Sequence, residues 1–337
     1  MEMLLERLGL DMQLKNAKKY TILVSGASGI VGYGILRSLK ERGDCFLIGT
    51  TIYSESPANC FADVVEIVPQ TNASEYLCCL KKLIVRYSID MIIPGIEADM
   101  SVWNKAREEL ESTGTFVLLN NSDLISMCLD KWRFYEKLVE NNYSGRIETS
   151  IGLDYKRFSF PFLLKPRCGF GGRGIVKITS KEQFEQNKNE IGSQLMMQEY
   201  VGSEAEEYTV SAFFDDKSAI RAVMGLKRKL SSIGYTETAK VVDTKEFMGD
   251  IKFLADIFKP VGPTNFQFRK NGDALKLLEI NPRISSSSSI RMNFGYNESS
   301  MAIDYFLEGK EVAQPIIKMG HAMRYIEEYI FYDSIDI

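Results

Sequence analysis

A single histidine, His321, is all the imidazole in this 337-residue chain. A mechanism pairing imidazole with a serine or cysteine nucleophile would have to run through it. It lies in no nucleophile motif, so such mechanisms are set aside. The six cysteines, Cys45, Cys60, Cys78, Cys79, Cys128 and Cys168, lack any paired metal-ligand spacing. They read as the reduced thiols of a cytoplasmic protein. No apolar run approaches the length that spans a bilayer, so no membrane partner is expected. Met1 to Lys19 has no apolar core followed by a small-residue cleavage site, and no secretion signal is expected there. Leu4, Leu5, Leu8 and Met12 have helical spacing, which predicts a lead-in helix over 1–19. An excess of positive charge is also missing: the formal net charge is −4. General nucleic-acid binders are usually basic, so none is expected here.

What is present is the balance of a soluble globular protein, 45% hydrophobic and 26% charged. The length calls for two or three domains. Tyr20 to Ser25 is a β-branched, apolar run that ends in the glycine cluster Gly26 to Gly34, and a helical pattern follows to Arg42. Strands are expected at Phe46–Thr50, Val64–Val68, Met91–Pro94 and Phe116–Leu119, and helices at Tyr76–Tyr87 and Met100–Ser112. Alternating strands and helices predict a doubly wound α/β parallel sheet over 20–121. The pattern then changes. Ser122–Asn141 is helical. Short strands Phe162–Lys165 and Ile175–Ile178 flank a glycine loop, and a helix Phe184–Ile191 and a strand Leu195–Tyr200 follow. Longer strands come next at Glu207–Phe214, Ser218–Leu230, Thr264–Arg269 and Leu275–Ile280, with Asp215-Asp216-Lys217 and Asn271-Gly272-Asp273 as hairpin turns. This half is expected to be α+β with antiparallel sheets, divided into 122–201 and 202–337.

Three segments carry candidate chemistry. Alternation along the last strand puts Leu275, Leu277, Glu279 and Asn281 on one face, with Arg283 just beyond. Glu279 and Asn281 offer hard oxygen donors of the kind magnesium prefers when phosphate oxygens complete its shell. If the preceding strand pairs with it, Gln267 reaches the same region. An edge hairpin with solvated polar residues explains the same pattern without a metal. The second segment is Phe162-Leu163-Leu164-Lys165-Pro166 with the loop Gly169 to Gly174. A strand-borne lysine before a glycine loop can neutralise and cover phosphates, although no Gly-Lys-Ser/Thr makes this a Walker A loop. The third is Met197-Gln198-Glu199-Tyr200-Val201-Gly202 with Glu207 beyond. A strand ending in a linker can offer backbone groups to an adenine edge, and a carboxylate nearby can accept from ribose; a plain connecting loop is the alternative.

Taken together and in this order, Lys131, Lys165-Pro166, the glycine loop, Gln198-Glu199-Tyr200-Val201, Glu207, Gln267 and Glu279-Ile280-Asn281-Pro282-Arg283 resemble the ATP-grasp superfamily. The branch resembled is the short, single-copy form of the carbamoyl-phosphate-synthase large subunit, over about Tyr20 to about Gly309. The resemblance implies a pre-ATP-grasp domain followed by ATP-grasp subdomains. It implies ATP and Mg2+ as cofactors, with Mn2+ able to substitute. Lys131 and Lys165 would contact the phosphates, Gly171 and Gly172 would belong to a covering loop, and Gln198, Glu199, Tyr200 and Val201 would form the adenine linker. Glu207 would meet the ribose, Leu278 the adenine ring, and Gln267, Glu279 and Asn281 the metal. Arg283 would face the transferred phosphate as the catalytic residue.

The activity the resemblance implies is ADP-forming ligation of a small-molecule carboxylate, with amino acids among the candidates, to an amine. A kinase that stops at a phosphorylated product and a non-catalytic nucleotide- or NAD-binding protein stand as alternatives. Dimers are common among such enzymes, so a homodimer is compatible with the resemblance. The cluster Gly26 to Gly34 reads as a structural or substrate-side turn rather than an NAD site. The second strand ends Gly49-Thr50-Thr51-Ile52-Tyr53, without the acid that holds a ribose. Glu97 and Asp99 would either line the acceptor site or open a solvated helix. Lys227, Arg228 and Lys229 split by alternation into two faces of a strand, one of which could bind an anion. The resemblance implies that the serine run Ser285 to Ser289 borders the acceptor substrate, and its role is left open.

Overall fold

The computed structural model describes residue 15 and residues 18–169, 173–231 and 234–331. The expected lead-in helix lies almost wholly outside them, as do Gly171 and Gly172. The described chain forms two compact units. One gathers residues up to Leu119 with 283–318 and 324 onward; the other holds 120–282 with 319–323.

The first unit is built on a parallel sheet of β1 (Tyr20–Val24), β2 (Cys45–Thr51), β3 (Val64–Ile67), β4 (Met91–Ile93) and β5 (Phe116–Val117), in the order β3-β2-β1-β4-β5. Both central strands are apolar and buried, as expected of a sheet covered on its two faces. The helix Ile30–Lys40 buries Ile35, Leu36 and Leu39, and the helix Tyr76–Tyr87 buries Leu80, Leu83 and Ile84. Both sets have the 3–4 residue spacing of one helix face. The next helix differs from expectation. It begins at Glu97, three residues early, and breaks at Ala106, so two short helices, Glu97–Lys105 and Arg107–Glu111, replace one. Glu97 and Asp99 in its first turn favour that early start by facing the positive end of the helix dipole.

The second unit holds two antiparallel sheets. The smaller contains β6 (Thr149–Ser150), β7 (Phe162–Pro166), β8 (Val176–Ile178) and β9 (Leu195–Glu199), in the order β6-β9-β7-β8. One face packs Phe162, Leu164, Ile178 and Met197 against Phe158 and against Phe184 of the helix Lys181–Asn187. The larger contains β10 (Glu207–Phe214), β11 (Ile220–Leu230), β12 (Thr236–Val242), β13 (Gly262–Asn271), β14 (Ala274–Asn281) and β15 (His321–Met323), in the order β14-β13-β10-β11-β12-β15. Its apolar face carries Tyr208, Val210, Ala212, Phe214, Phe266, Phe268, Leu277 and Ile280. These pack on the helix Met248–Phe258 through Ile251, Leu254, Ala255 and Phe258, and on Phe134 and Leu138. The helical stretch expected from Ser122 is interrupted at Asp130. That residue turns to extended backbone, and its side chain accepts from the Trp132 and Arg133 N–H groups to start a second helix, Lys131–Glu140.

Candidate functional site

The polar face of the large sheet follows from strand alternation. On β10, Glu207, Thr209 and Ser211 stand opposite the core residues; on β13, Asn265, Gln267 and Arg269 do the same. The two rows meet in register: Glu207 faces Arg269, Thr209 faces Gln267, and Ser211 faces Asn265. β13 and β14 pair as a hairpin, with Gln267 opposite Glu279 and Asn265 opposite Asn281. The three expected metal donors thus lie on neighbouring positions of one hairpin. The Asn281 Nδ2 donates to Glu279 Oε1 at 3.1 Å.

The grouping of Leu275 and Leu277 with Glu279 on one face is not what the structure shows. The register shifts between Gln267 and Phe268, where Phe268 pairs with Leu277, so Leu278 is an extra residue in β14. Leu277 and Ile280 both enter the core although three positions apart. The bulge lets Glu279 leave the core face while Leu277 and Ile280 remain in it. Leu278 is half-buried and stands outside the core cluster.

Lys165 projects from the face of the small sheet opposite its aromatic core, on the side of Leu163, Met196 and Gln198. Burial pushes the Lys165 ammonium below its ordinary value, against the pull of Glu279 and with the repulsion of Lys131. Burial alone would raise the Glu279 carboxyl. The Lys165 charge, the Asn281 hydrogen bond and the charges of Lys131 and Arg228 outweigh it and hold that carboxyl below the usual range. Lys165 of the small sheet and Lys131 of the helix therefore both act on the acid of the large sheet. Lys131 opens its helix and donates through Nζ to the carbonyl of Gly169, at the start of the glycine loop. Two residues not anticipated from sequence fix this lysine. Asp130 caps the helix and pairs at 2.7 Å with Arg167, two residues beyond Lys165. The Lys131 N–H also donates to the Arg167 carbonyl at 2.9 Å. The helix-cap residue directly before a lysine was the legible signal.

The linker is held from both sheets. Gln198 is buried and donates to Thr149 Oγ1 at 3.1 Å, whereas Glu199 is exposed. Lys177 of β8 lies 4.1 Å above the Tyr200 ring, and the Arg269 guanidinium lies 6.0 Å from it. Arg269 also donates to the Val201 carbonyl at 3.4 Å. Gly202 takes φ +59° against the Lys270 carbonyl. Glu207 is buried with both oxygens engaged: Oε1 accepts from Arg228 at 2.9 Å and Oε2 from Arg269 at 2.7 Å. A ribose hydroxyl would have to join or displace one of these arginines. The basic stretch on β11 thus divides as alternation predicts. Arg228 is turned inward, while Lys227 pairs with Glu206 and Lys229 with Glu237 at the surface.

Arg283 belongs to the first unit, where its guanidinium pairs with Glu97 Oε1 at 2.8 Å. Asp99 is buried, accepts from Thr71 Oγ1 at 2.6 Å, and has its carboxyl pushed up by burial. It is no solvated helix start. The serine run is largely buried too. Ser285 accepts from Arg291 at 2.7 Å, and Arg291 pairs with Glu298 at 3.2 Å, both fully enclosed. Ser288 lies 3.1 Å from where a Cβ on Gly34 would stand, so small residues let the helices Ser288–Asn293 and Ile30–Lys40 approach closely.

Glu279 supplies one ionised carboxylate, and Gln267 and Asn281 supply neutral carboxamide oxygens. Among the described residues no group of three or more His, Cys, Asp or Glu could hold a metal. Lys131, Lys165 and Arg228 all act on Glu279 as positive charges. Such a set fits magnesium that arrives with phosphate oxygens, which is how magnesium is commonly bound, and does not suit a bare ion.

Residues 192–329 match the family model described as ATP-grasp in the biosynthetic pathway with Ter operon, and residues 35–118 match the PylC-like N-terminal domain. An ATP-grasp region therefore follows a PylC-like region in this chain. No curated protein sequence matches it. Its fold is similar to that of N5-carboxyaminoimidazole synthetase from Staphylococcus aureus, with TM-score 0.71 and 14% identity over 89% of this chain and 80% of that one. It is also similar to the biotin carboxylase domain of Hydrogenobacter thermophilus 2-oxoglutarate carboxylase, a structure containing MgADP and bicarbonate, with TM-score 0.69 and 17% identity over 90% and 74%. The L-amino acid ligase from Bacillus licheniformis follows with TM-score 0.65 and 13% identity over 86% and 75%. Among the described residues no helix is long and apolar enough to cross a membrane.

Proposed function

We propose that the protein is an ATP-dependent carboxylate–amine ligase. One observation carries this reading: the β13–β14 register sets Gln267 against Glu279 and Asn265 against Asn281, so the oxygen donors stand together on one polar face, and the charges of Lys165 and Lys131 act on Glu279 there. In this reading Lys131 and Lys165 bind the nucleotide phosphates, with the loop that includes Gly171 and Gly172 covering them. Gln198, Glu199, Tyr200 and Val201 form the adenine linker, Glu207 meets the ribose and Leu278 packs on the base. Gln267, Glu279 and Asn281 hold Mg2+, or Mn2+ in its place, which neutralises charge on the transferring phosphoryl group when bound.

A carboxylate oxygen attacks the γ-phosphorus, and the bond from that phosphorus to the β,γ-bridging oxygen breaks, releasing ADP. An amine then attacks the acyl carbon, and phosphate leaves with the loss of a proton from nitrogen. The chain needs no covalent nucleophile for this. It supplies positioning and charge neutralisation, in which Arg283 takes part at the phosphate. The L-amino acid ligase similarity supports an amino acid as the carboxylate.

The test is ADP release screened against pairs of carboxylates and amines. ADP formation that needs both, with a product mass of acid plus amine less water, is the expected result. ADP formation without an amine, with a stable phosphorylated acid, would make the protein a kinase. No substrate-dependent ADP release across amino and hydroxy acids would defeat the enzymatic reading.

A further inference from the structure

Arg228 has no role in the reading above, yet it is the most enclosed cation of the large sheet's polar face. It springs from β11, and its side chain crosses β10 to reach β13, with only 5% of it exposed. A buried guanidinium is tolerated when its N–H groups are matched. Here Nε and Nη2 donate to Glu207 Oε1 at 3.2 and 2.9 Å, and Nη2 donates to Gln267 Oε1 at 2.6 Å. Glu207 Oε2 is engaged by Arg269, and Arg228 spans Glu207 Oε1 and Gln267 Oε1.

That contact decides which way the carboxamide faces. Arginine is a donor only, so the group that meets Arg228 has to be the oxygen of Gln267 and not its NH2. A flipped amide would set donor against donor. The oxygen has a second lone pair, and that lone pair is what a cation beside Glu279 can use.

We propose that Arg228 is a positioning residue for the metal-nucleotide: it locks the Gln267 carboxamide oxygen in place and ties that oxygen to Glu207. This rests on the functional reading above, which assigns Gln267 and Glu207 to the metal and the ribose. The tie means that the two ends of the nucleotide are read by groups sharing one guanidinium.

The experiment measures Mn2+ binding by electron paramagnetic resonance, in complex with a non-hydrolysable ATP analogue. The variants are Arg228→Gln and Arg228→Lys, alone and combined with Gln267→Ala. Arg228→Gln is expected to weaken Mn2+ at least tenfold. Arg228→Lys, which keeps the charge but loses the planar fork, is expected to weaken it by about threefold or more and to answer the question if the glutamine variant fails to fold. In the Gln267→Ala background either change is expected to add less than twofold, because Arg228 acts through Gln267. Mn2+ affinities within twofold of the parent, or full additivity with Gln267→Ala, would overturn the proposal while leaving the ligase reading intact. Absence of nucleotide-dependent Mn2+ binding by the parent protein would overturn both.

Discussion

At the residue scale the decisive pair is Lys165 and Glu279. Each is enclosed at a cost and each offsets the other's charge. Glu279→Gln removes the only carboxylate of the donor set and is expected to lower ADP release by about 100-fold or more, the usual scale for losing a preorganised charge at a transferring group. Unchanged turnover in a steady-state assay would displace the whole site. Because Glu279 titrates below 4.5, its contribution is present above that value and is lost only as pH falls through the depressed folded value.

Lys165 has the opposite sign. Its folded value lies below 10.5, so between the two values the unfolded chain holds the proton more tightly, and stability rises with pH there. Lys165→Met is therefore expected to raise Tm near neutral pH, with the gain shrinking as pH approaches 10.5. Nucleotide affinity should meanwhile fall by about tenfold or more, since the phosphates lose a partly buried cation. Thermal unfolding across pH, with nucleotide titrations alongside, checks both; a lowered Tm at neutral pH would show that the lysine stabilises the fold.

At the scale of elements, strands were legible wherever alternation was clean. β10 alternates Glu207, Thr209 and Ser211 with Tyr208, Val210 and Ala212, and its bounds match expectation. β14 was not legible in full. Leu277 and Leu278 are both apolar, so nothing in their chemistry marks which is the bulged residue; pairing with Phe268 decides it. β12 and the helix Met248–Phe258 fell outside the strand-rich reading of this half, although Ile251, Leu254, Ala255 and Phe258 have helical spacing. Arg228 stood in a visible basic stretch, but its partners come from two other strands and no local pattern announces them. The linker gives a test at this scale. A Cβ on Gly202 would stand 2.0 Å from the Lys270 carbonyl oxygen, at a φ of +59° that side chains rarely adopt. Gly202→Ala is expected to cost about 1–3 kcal/mol or more. It should also shift Val201 enough to weaken nucleotide binding; denaturant unfolding and a nucleotide titration measure the two losses. A variant as stable as the parent would mean the linker yields easily.

At the scale of the whole molecule, the order of motifs carried more than any one of them. Lys131, Lys165, Glu207, Gln267 and Glu279 are spread over 149 positions, from 131 to 279, yet they all fall within one compact unit. Arg283, four positions after Glu279, falls in the other unit, and that division is invisible in the local sequence. The charge of the assembled site leads to a prediction about ligand order. Lys131, Lys165 and Arg228 all act on Glu279, and with Arg269 these cations outnumber the carboxylates Glu279 and Glu207. A bare divalent cation meets net repulsion there, whereas a metal-nucleotide, which is an anion, meets attraction. A ligand that binds only the folded state stabilises it by about 2.7 kcal/mol at 100 times its Kd. Millimolar Mg2+ alone is therefore expected to leave Tm unchanged, and MgATP to raise it by several degrees. Chelating the metal should reverse most of that rise, because Glu279, Gln267 and Asn281 then lose the ion that joins them to the phosphates. A comparable rise with Mg2+ alone would show that the oxygen donors form a metal site in their own right, and the reading of the lysines as phosphate partners would have to give way.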